Sequence, residues 1–450
     1  MIQRFGAILR PRAPETMLVS GFAGAILLTA LALLLPWSHR GSLGPLDALF
    51  TATSAVCVTG LAVVDTGSRF TALGQGVILA AIQVGGLGVM TFAALAFNLV
   101  GRRMSLRART SLADSLVHRD LGGELRSQFL SILRVVLLLE AGGAILLFAG
   151  LVPAMGWPHA AWSGLFHAVS AFCNAGFSLY ADSLTGLRAN PVVSATVMAL
   201  IVTGGLGVPV LWDLKKRLRR IASRAPGDRF ALHTRLVLWT SALLIAGGAL
   251  SLLGLGPTGE SSGAGVSLSA ALFQSVTART AGFNTVPIGA LPLASLLVLV
   301  LLMFVGGSPG SCAGGIKTTT LALWGASLAS RLRGRRHVRI LDRFVPEDRI
   351  RHASAVIGLS VLWNIGGVLI LSVSEGGAGT PLREIVFEQV SAFATVGLTT
   401  GLTPDLSASG RLWIVASMFV GRLGPLTMVM VMVRKRPAEV RFPEGKVMIG

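Results

Sequence analysis

Four short stretches of this chain place the same residue types at the same spacing. They read Phe50-Thr-Ala-Thr-Ser54-Ala-Val-Cys57-Val58-Thr59-Gly60, Phe166-His-Ala-Val-Ser170-Ala-Phe-Cys173-Asn174-Ala175-Gly176, Phe273-Gln-Ser-Val-Thr277-Ala-Arg279-Thr280-Ala281-Gly282 and Phe387-Glu-Gln-Val-Ser391-Ala-Phe-Ala-Thr395-Val396-Gly397. A hydroxyl residue follows Phe by four places, and Gly follows the hydroxyl by six, or by five in the third copy. The segments are too short to cross a bilayer and must dip in and return. Irregular backbone at membrane depth survives only when buried in protein or lining a water-filled cavity. Four such loops around one axis would set their carbonyl oxygens in a ring, and such a ring can replace the hydration shell of a monovalent cation. Glycine suits a chain that turns close to an ion and to its neighbours without a Cβ. The candidate filter residues are therefore Val58, Thr59 and Gly60, Asn174, Ala175 and Gly176, Thr280, Ala281 and Gly282, and Thr395, Val396 and Gly397. The Ser or Thr is expected to cap or back-bond the short helix rather than touch the ion.

A second landmark follows each loop. Gly85-Gly-Leu-Gly88, Gly204-Gly-Leu-Gly207, Gly306-Gly-Ser-Pro309 and Gly421-Arg-Leu-Gly424 begin 25, 28, 24 and 24 residues after the loop glycines. Small residues commonly let membrane helices pack closely, and that role is favoured for these landmarks. The third one opens a longer break, Gly306-Gly307-Ser-Pro-Gly310-Ser311-Cys-Ala-Gly314-Gly315-Ile316-Lys317, with five Gly and a Pro. No helix continues through such a run. Gly310 and Gly315 have the spacing of a phosphate-binding loop, but Ile316 intervenes before Lys317 and no strand precedes it, so nucleotide binding is not expected there. A broken span beneath a filter is expected to act as a constriction, made of Gly306, Gly307, Gly310, Ser311, Gly314, Gly315 and Lys317. Arg422 falls at the same register in the last repeat. A guanidinium inside a membrane should face the bundle interior and donate to carbonyls or a carboxylate, as a gate latch or as a packing hub. Arg279 should be paired, and Glu388 is the expected partner.

The elements that must position these residues are apolar. Of 450 residues 52% are hydrophobic and 13% charged, and mean hydropathy is +0.72, which excludes a soluble globular domain. Stretches of spanning length or near it recur at 17–36, 73–100, 129–152, 192–214, 236–255, 292–305, 353–373 and 412–433. The first is too long and lacks the cleavage site of a removable signal. The net charge of +19 points to orientation rather than nucleic acid, because 31 of the 39 Lys and Arg fall in five clusters, at 4–12, 102–134, 215–235, 331–351 and 434–446. One span–loop–span unit separates each cluster from the next, so both termini and the three intervening loops are expected in the cytoplasm. The fold class expected is an all-α membrane protein of four span–pore helix–span repeats, eight transmembrane spans plus four re-entrant pore helices, around a central pore. The repeats fall at 1–110, 111–225, 226–345 (with the gate loop) and 346–450 (with a cytoplasmic tail). Cys57, Cys173 and Cys312 suggest neither disulfide framework nor zinc site.

The segments TSAVCVTGL, SAFCNAGF, ARTAGFNT and SAFATVGLTTG, in this order, resemble the Trk/Ktr/HKT superfamily of potassium transport proteins over nearly the whole chain. The chain begins directly with the first repeat, which is closer to the Ktr-type membrane subunit than to the longer Trk type. The resemblance implies potassium as substrate at the filter carbonyls, a homodimer with one pore per subunit in a bacterial inner membrane, and a KtrA-like cytoplasmic ring of regulatory subunits that carries the nucleotide. No covalently bound cofactor is expected. A Ser at the first filter-glycine position resembles sodium-preferring members, so Gly60 favours potassium. A membrane enzyme would need a buried His, Asp or Glu cluster. An ion-coupled secondary transporter normally carries intramembrane acids, and the carboxylates read as mostly loop-borne (Asp47, Asp65, Asp182, Asp405), with Asp65 either drawing cations to the outer mouth or merely solvated.

Overall fold

The computed structural model describes residues 14–99, 125–223, 230–255, 267–335, 337–341, 343–425 and 427. Basic clusters 4–12 and 434–446, most of 102–134, and the tail 441–450 lie outside them.

Four units follow one another, each a helix, a short helix, a loop and another helix. The first has α1 (Pro14–Leu33), α2 (Pro45–Val56) and α3 (Ala72–Leu99); the second has α4 (Leu125–Met155), α5 (Trp157–Phe172), α6 (Pro191–Leu206) and α7 (Val208–Ala222). The third has α8 (Leu232–Gly254), α9 (Leu268–Thr277), α10 (Leu293–Phe304) and α11 (Thr318–Leu332), and the fourth has α12 (Glu347–Glu375), α13 (Leu382–Ala394) and α14 (Ala408–Leu423). A two-residue hairpin, β1 (Arg339–Ile340) with β2 (Arg343–Phe344), joins the last two units.

The short helices start where the chain stops them from starting earlier. Gly44 with Pro45, and Gly156 at φ 75 with Pro158, set the first two, since Pro is tolerated in a first helical turn. Ser267 caps α9 by accepting from Ala270 N, and Pro381 precedes α13. Each short helix packs between the two longer helices of its own unit, and it also meets the second long helix of the unit before it: α3 on α5, α6 on α9, α10 on α13. The cycle closes with α14 on α2. Phe50, Phe166, Phe273 and Phe387, the first residues of the four segments, are all fully buried in this ring of contacts.

Among the described residues, Leu133–Met155, Leu232–Gly254 and Glu347–Glu375 are long and apolar enough to cross a membrane alone. The second helices of the units are not continuous, contrary to the expected runs 73–100, 192–214 and 412–433. Gly88, Gly207 and Gly424 take φ of 74, 84 and 86, a conformation that Gly adopts without penalty and other residues avoid. At Gly207 the chain turns by 105° into α7. The first glycine of each landmark does a different job. Gly85, Gly204 and Gly421 lie against the carbonyls of Val56, Phe172 and Phe393 at the ends of short helices, where a Cβ would collide with backbone. Close packing and helix breaking therefore share one four-residue motif.

Candidate functional site

The four loops carry one backbone conformation. Val58, Asn174, Thr280 and Thr395 all have positive φ (56, 58, 69 and 51), and so do Gly60, Gly176, Gly282 and Gly397 (93, 69, 81 and 93). Non-glycine residues adopt this region only at a cost of about 1–3 kcal/mol, so its recurrence four times at one position is a built feature. The loops touch in sequence. A Cβ on Gly60 would lie 2.9 Å from Gly176 Cα, on Gly176 2.9 Å from Gly282 Cα, on Gly282 3.2 Å from Gly397 Cα, and on Gly397 3.1 Å from Gly60 Cα. Each such Cβ would also strike the carbonyl oxygen of the next loop's preceding residue: Ala175, Ala281, Val396 and Thr59 in turn. Backbone oxygens from all four units thus meet at the glycine level, in a ring with no space for side chains.

Three of the four hydroxyl residues hold their loops from behind, and the expected bond is missing in the third copy, where Thr277 Oγ1 has no hydrogen-bond partner. Ser54 Oγ accepts from Gly60 N at 3.0 Å and Ser391 Oγ from Gly397 N at 3.2 Å, while Ser170 Oγ donates to Phe177 O at 2.8 Å. The shorter third copy is absorbed locally. Thr59, Ala175 and Val396 donate their N–H to the carbonyl five residues back, whereas Ala281 donates to Thr277 O, four back, at 2.9 Å. One residue is lost from the turn, and the register of the glycine ring survives.

The residues 306–317 leave α10 and run beneath this ring. Gly306 N donates to Ile316 O at 2.9 Å and Thr318 N to Gly307 O at 3.0 Å, closing the segment on itself. Ser308 N and Cys312 N donate to the carbonyls of Gly205 and Gly204 in the second unit, at 3.0 and 3.3 Å. Ser311 Oγ donates to Ser308 O at 2.6 Å, Gly310 and Gly315 have φ of 75 and 61, and Gly314 sits against Ala394 and Thr395 of the fourth loop. Lys317 Nζ donates to Ala313 O at 2.6 Å. Arg422 Nη1 donates to Cys312 O and its Nη2 to Gly85 O. A single guanidinium on the fourth unit therefore ties the third unit's loop to the first unit's second helix.

One side-chain expectation fails. Arg279 Nη2 donates to Ser241 Oγ at 3.2 Å and Gly306 O at 3.4 Å, not to Glu388. Glu388 instead accepts from Thr399 Oγ1 at 2.9 Å and from Thr403 Oγ1, on its own unit's outer segment. The two lie at different turns of their short helices: Arg279 just beyond the end of α9, Glu388 in the middle of α13. The carboxylates, read as mostly near loops, include a buried exception. Glu140, buried in α4, accepts from Gln83 Nε2 at 3.1 Å beside the buried Cys173. The signal was the one acid inside the stretch 129–152. The loop acids are engaged: Asp65 caps the turn Thr66–Arg69, Asp182 accepts from Gly186 N at 2.9 Å, and Asp47 pairs with Arg411 at 2.8 Å.

Residues 23–442 match the TrkH family, described as cation transport protein. The chain is 39% identical to Ktr system potassium uptake protein B of Bacillus subtilis (strain 168), covering 97% of each chain. It is 37% identical to the protein of the same name from Vibrio alginolyticus, covering 97% of this chain and 95% of that one. It shares the fold of the potassium transporter TrkH from Vibrio parahaemolyticus, with a TM-score of 0.70 and 18% identity over 94% of this chain and 86% of that one. With a four-loop carbonyl ring at its centre and the family matched from residue 23 to residue 442, the chain belongs to the TrkH family of cation transport proteins.

Proposed function

We propose that this protein takes up potassium across the bacterial cytoplasmic membrane by channel-like permeation. The observation that carries it is the closed glycine ring, in which Gly60, Gly176, Gly282 and Gly397 bring backbone oxygens of four units together. Ion coordination there comes from carbonyls. The hydroxyls of Thr59, Thr280 and Thr395, buried and without a protein hydrogen-bond partner, are further oxygens available to a cation. On this reading the chain has eight spans and four re-entrant pore helices in repeats 1–110, 111–225, 226–345 and 346–450, with both termini in the cytoplasm. Segment 306–317, latched by Arg422 and Lys317, is the gate. Relatives named as potassium uptake proteins support the choice of ion. The functional unit is a homodimer with a cytoplasmic, nucleotide-binding regulatory ring.

Purified protein in liposomes is expected to pass potassium and rubidium down their gradients, with sodium at least about tenfold slower, a discrimination of about 1.4 kcal/mol. Equal sodium and potassium flux would defeat the assignment. Truncation of 441–450 should weaken co-purification with the regulatory subunit, since that basic tail otherwise has no role beyond orientation. An intact complex after truncation removes the tail from the interface.

Glu140 favours one second reading, an ion-coupled symporter, because buried intramembrane acids serve coupling. The same liposomes decide between the two. Potassium flux that persists without sodium and without a proton gradient leaves Glu140 a structural partner of Gln83.

A further inference from the structure

Beyond the 105° turn at Gly207, α7 carries Lys215, Lys216, Arg217, Arg219 and Arg220, interleaved with the exposed apolar residues Trp212, Leu218 and Ile221. A helix with cations and exposed apolar side chains, set across the direction of the span before it, fits the plane of a membrane surface. Next to it, α8 presents Arg235, Leu238, Trp239 and Ala242, spaced three, four and seven residues apart and so on one face. The corner between the two helices is fixed by its own contacts. Asp213 Oδ2 accepts from Ala231 N at 3.1 Å, and the Arg217 guanidinium lies 4.3 Å over the ring of Phe230. Between them is an open, groove-like cavity of about 480 Å³ lined by Arg217, Phe230, Arg235, Leu238, Trp239 and Ala242.

That volume is in the range of small-molecule sites, and its lining is divided by chemistry. Two guanidinium groups supply the polar wall. Guanidinium matches phosphate geometry with paired donors, and Arg217 is already oriented by the Phe230 ring. The remainder is aromatic and aliphatic, and it continues along α8 through the exposed Leu243 and Leu250. A free phosphate has no use for such a wall. Basic pockets beside membrane helices on the positive side suit anionic headgroups, and Trp239 is of the type that settles at the membrane–water boundary.

We propose that this cavity binds one anionic phospholipid, its phosphate between Arg217 and Arg235 and an acyl chain along Trp239 and Leu243. The test is native mass spectrometry of the full-length, delipidated protein titrated with phosphatidylglycerol or phosphatidylcholine. Phosphatidylglycerol should be retained preferentially, and Arg217→Ala/Arg235→Ala should reduce that preference about thirtyfold, the effect of two arginine contacts with an anionic headgroup. Ala242→Trp keeps both charges and fills the cavity, and it should displace the same lipid even if the double variant does not fold. Equal retention of the two lipids by the wild-type protein overturns the proposal, as does undiminished retention in the Ala242→Trp variant. Thermal stabilisation by inorganic phosphate equal to that by phosphatidylglycerol would instead assign the arginines to a soluble anion and overturn the lipid.

Discussion

A Gly60→Ser variant is expected to reach the membrane and lose about tenfold of its preference for potassium over sodium, roughly 1.4 kcal/mol of differential binding. Gly60 has φ 93 and would carry its new Cβ 2.9 Å from Gly176 Cα and into Ala175 O. Neither obstacle is the flexible end of a side chain. The backbone of two loops must shift, and the oxygens that define the cage move with it. Non-glycine residues at such dihedrals cost about 1–3 kcal/mol, less than the 5–15 kcal/mol typical of a folded domain, so selectivity fails before the fold does. Competition of sodium against rubidium uptake in liposomes measures the effect. An unchanged ratio in a folded variant would remove Gly60 from the filter.

The second large effect is on the gate. Deleting Ser311–Gly315 should raise basal potassium flux about tenfold and reduce dependence on a regulatory partner, and Arg422→Ala should do the same. The segment removed contains Cys312 O, which accepts a hydrogen bond from Arg422, and Ala313 O, which accepts one from Lys317. Loss of a charged hydrogen bond from the closed state is worth about 1.5–3 kcal/mol, enough for a tenfold change in open probability. Because both changes strike one contact, the double variant should fall short of the sum. If the glycines only relieve strain, both variants will conduct less at normal membrane abundance, and 306–317 is then a packing device.

How much of this was readable beforehand depended on where each feature leaves its mark. The four loops were legible because a positive-φ glycine cannot be replaced cheaply, so loops of one shape leave glycines at one spacing, a residue shorter in the third copy. The short third copy was legible as an irregularity, but not its remedy, since a five-back turn and a four-back turn differ in hydrogen bonding alone. The breaks at Gly88 and Gly207 were hidden because their motif serves close packing equally well, and the two roles fall on different glycines of the same four residues. Partners were the least legible. Arg279 and Glu388 are complementary charges in neighbouring segments, yet Arg279 lies in the loop after α9 and reaches Ser241, while Glu388 sits in the middle of α13 and meets Thr399. Glu140 is inconspicuous in the sequence because one acid scarcely lowers the apolar average of its stretch.

The ring of four glycines is drawn from one continuous chain, and this sets how it can vary. A pore assembled from four identical chains must accept any substitution four times over. Here a change enters once, on one side, and the other three quarters stay as they were. The positions just before the shared carbonyls already differ, as Val58, Asn174, Thr280 and Thr395. Their side chains pack against different glycines, Val58 at Gly85, Asn174 at Gly204 and Gly205, Thr280 at Gly306 and Thr395 at Gly314, so each quarter of the ring is braced by its own group. The geometry of such a ring is adjustable in quarter steps, one loop at a time.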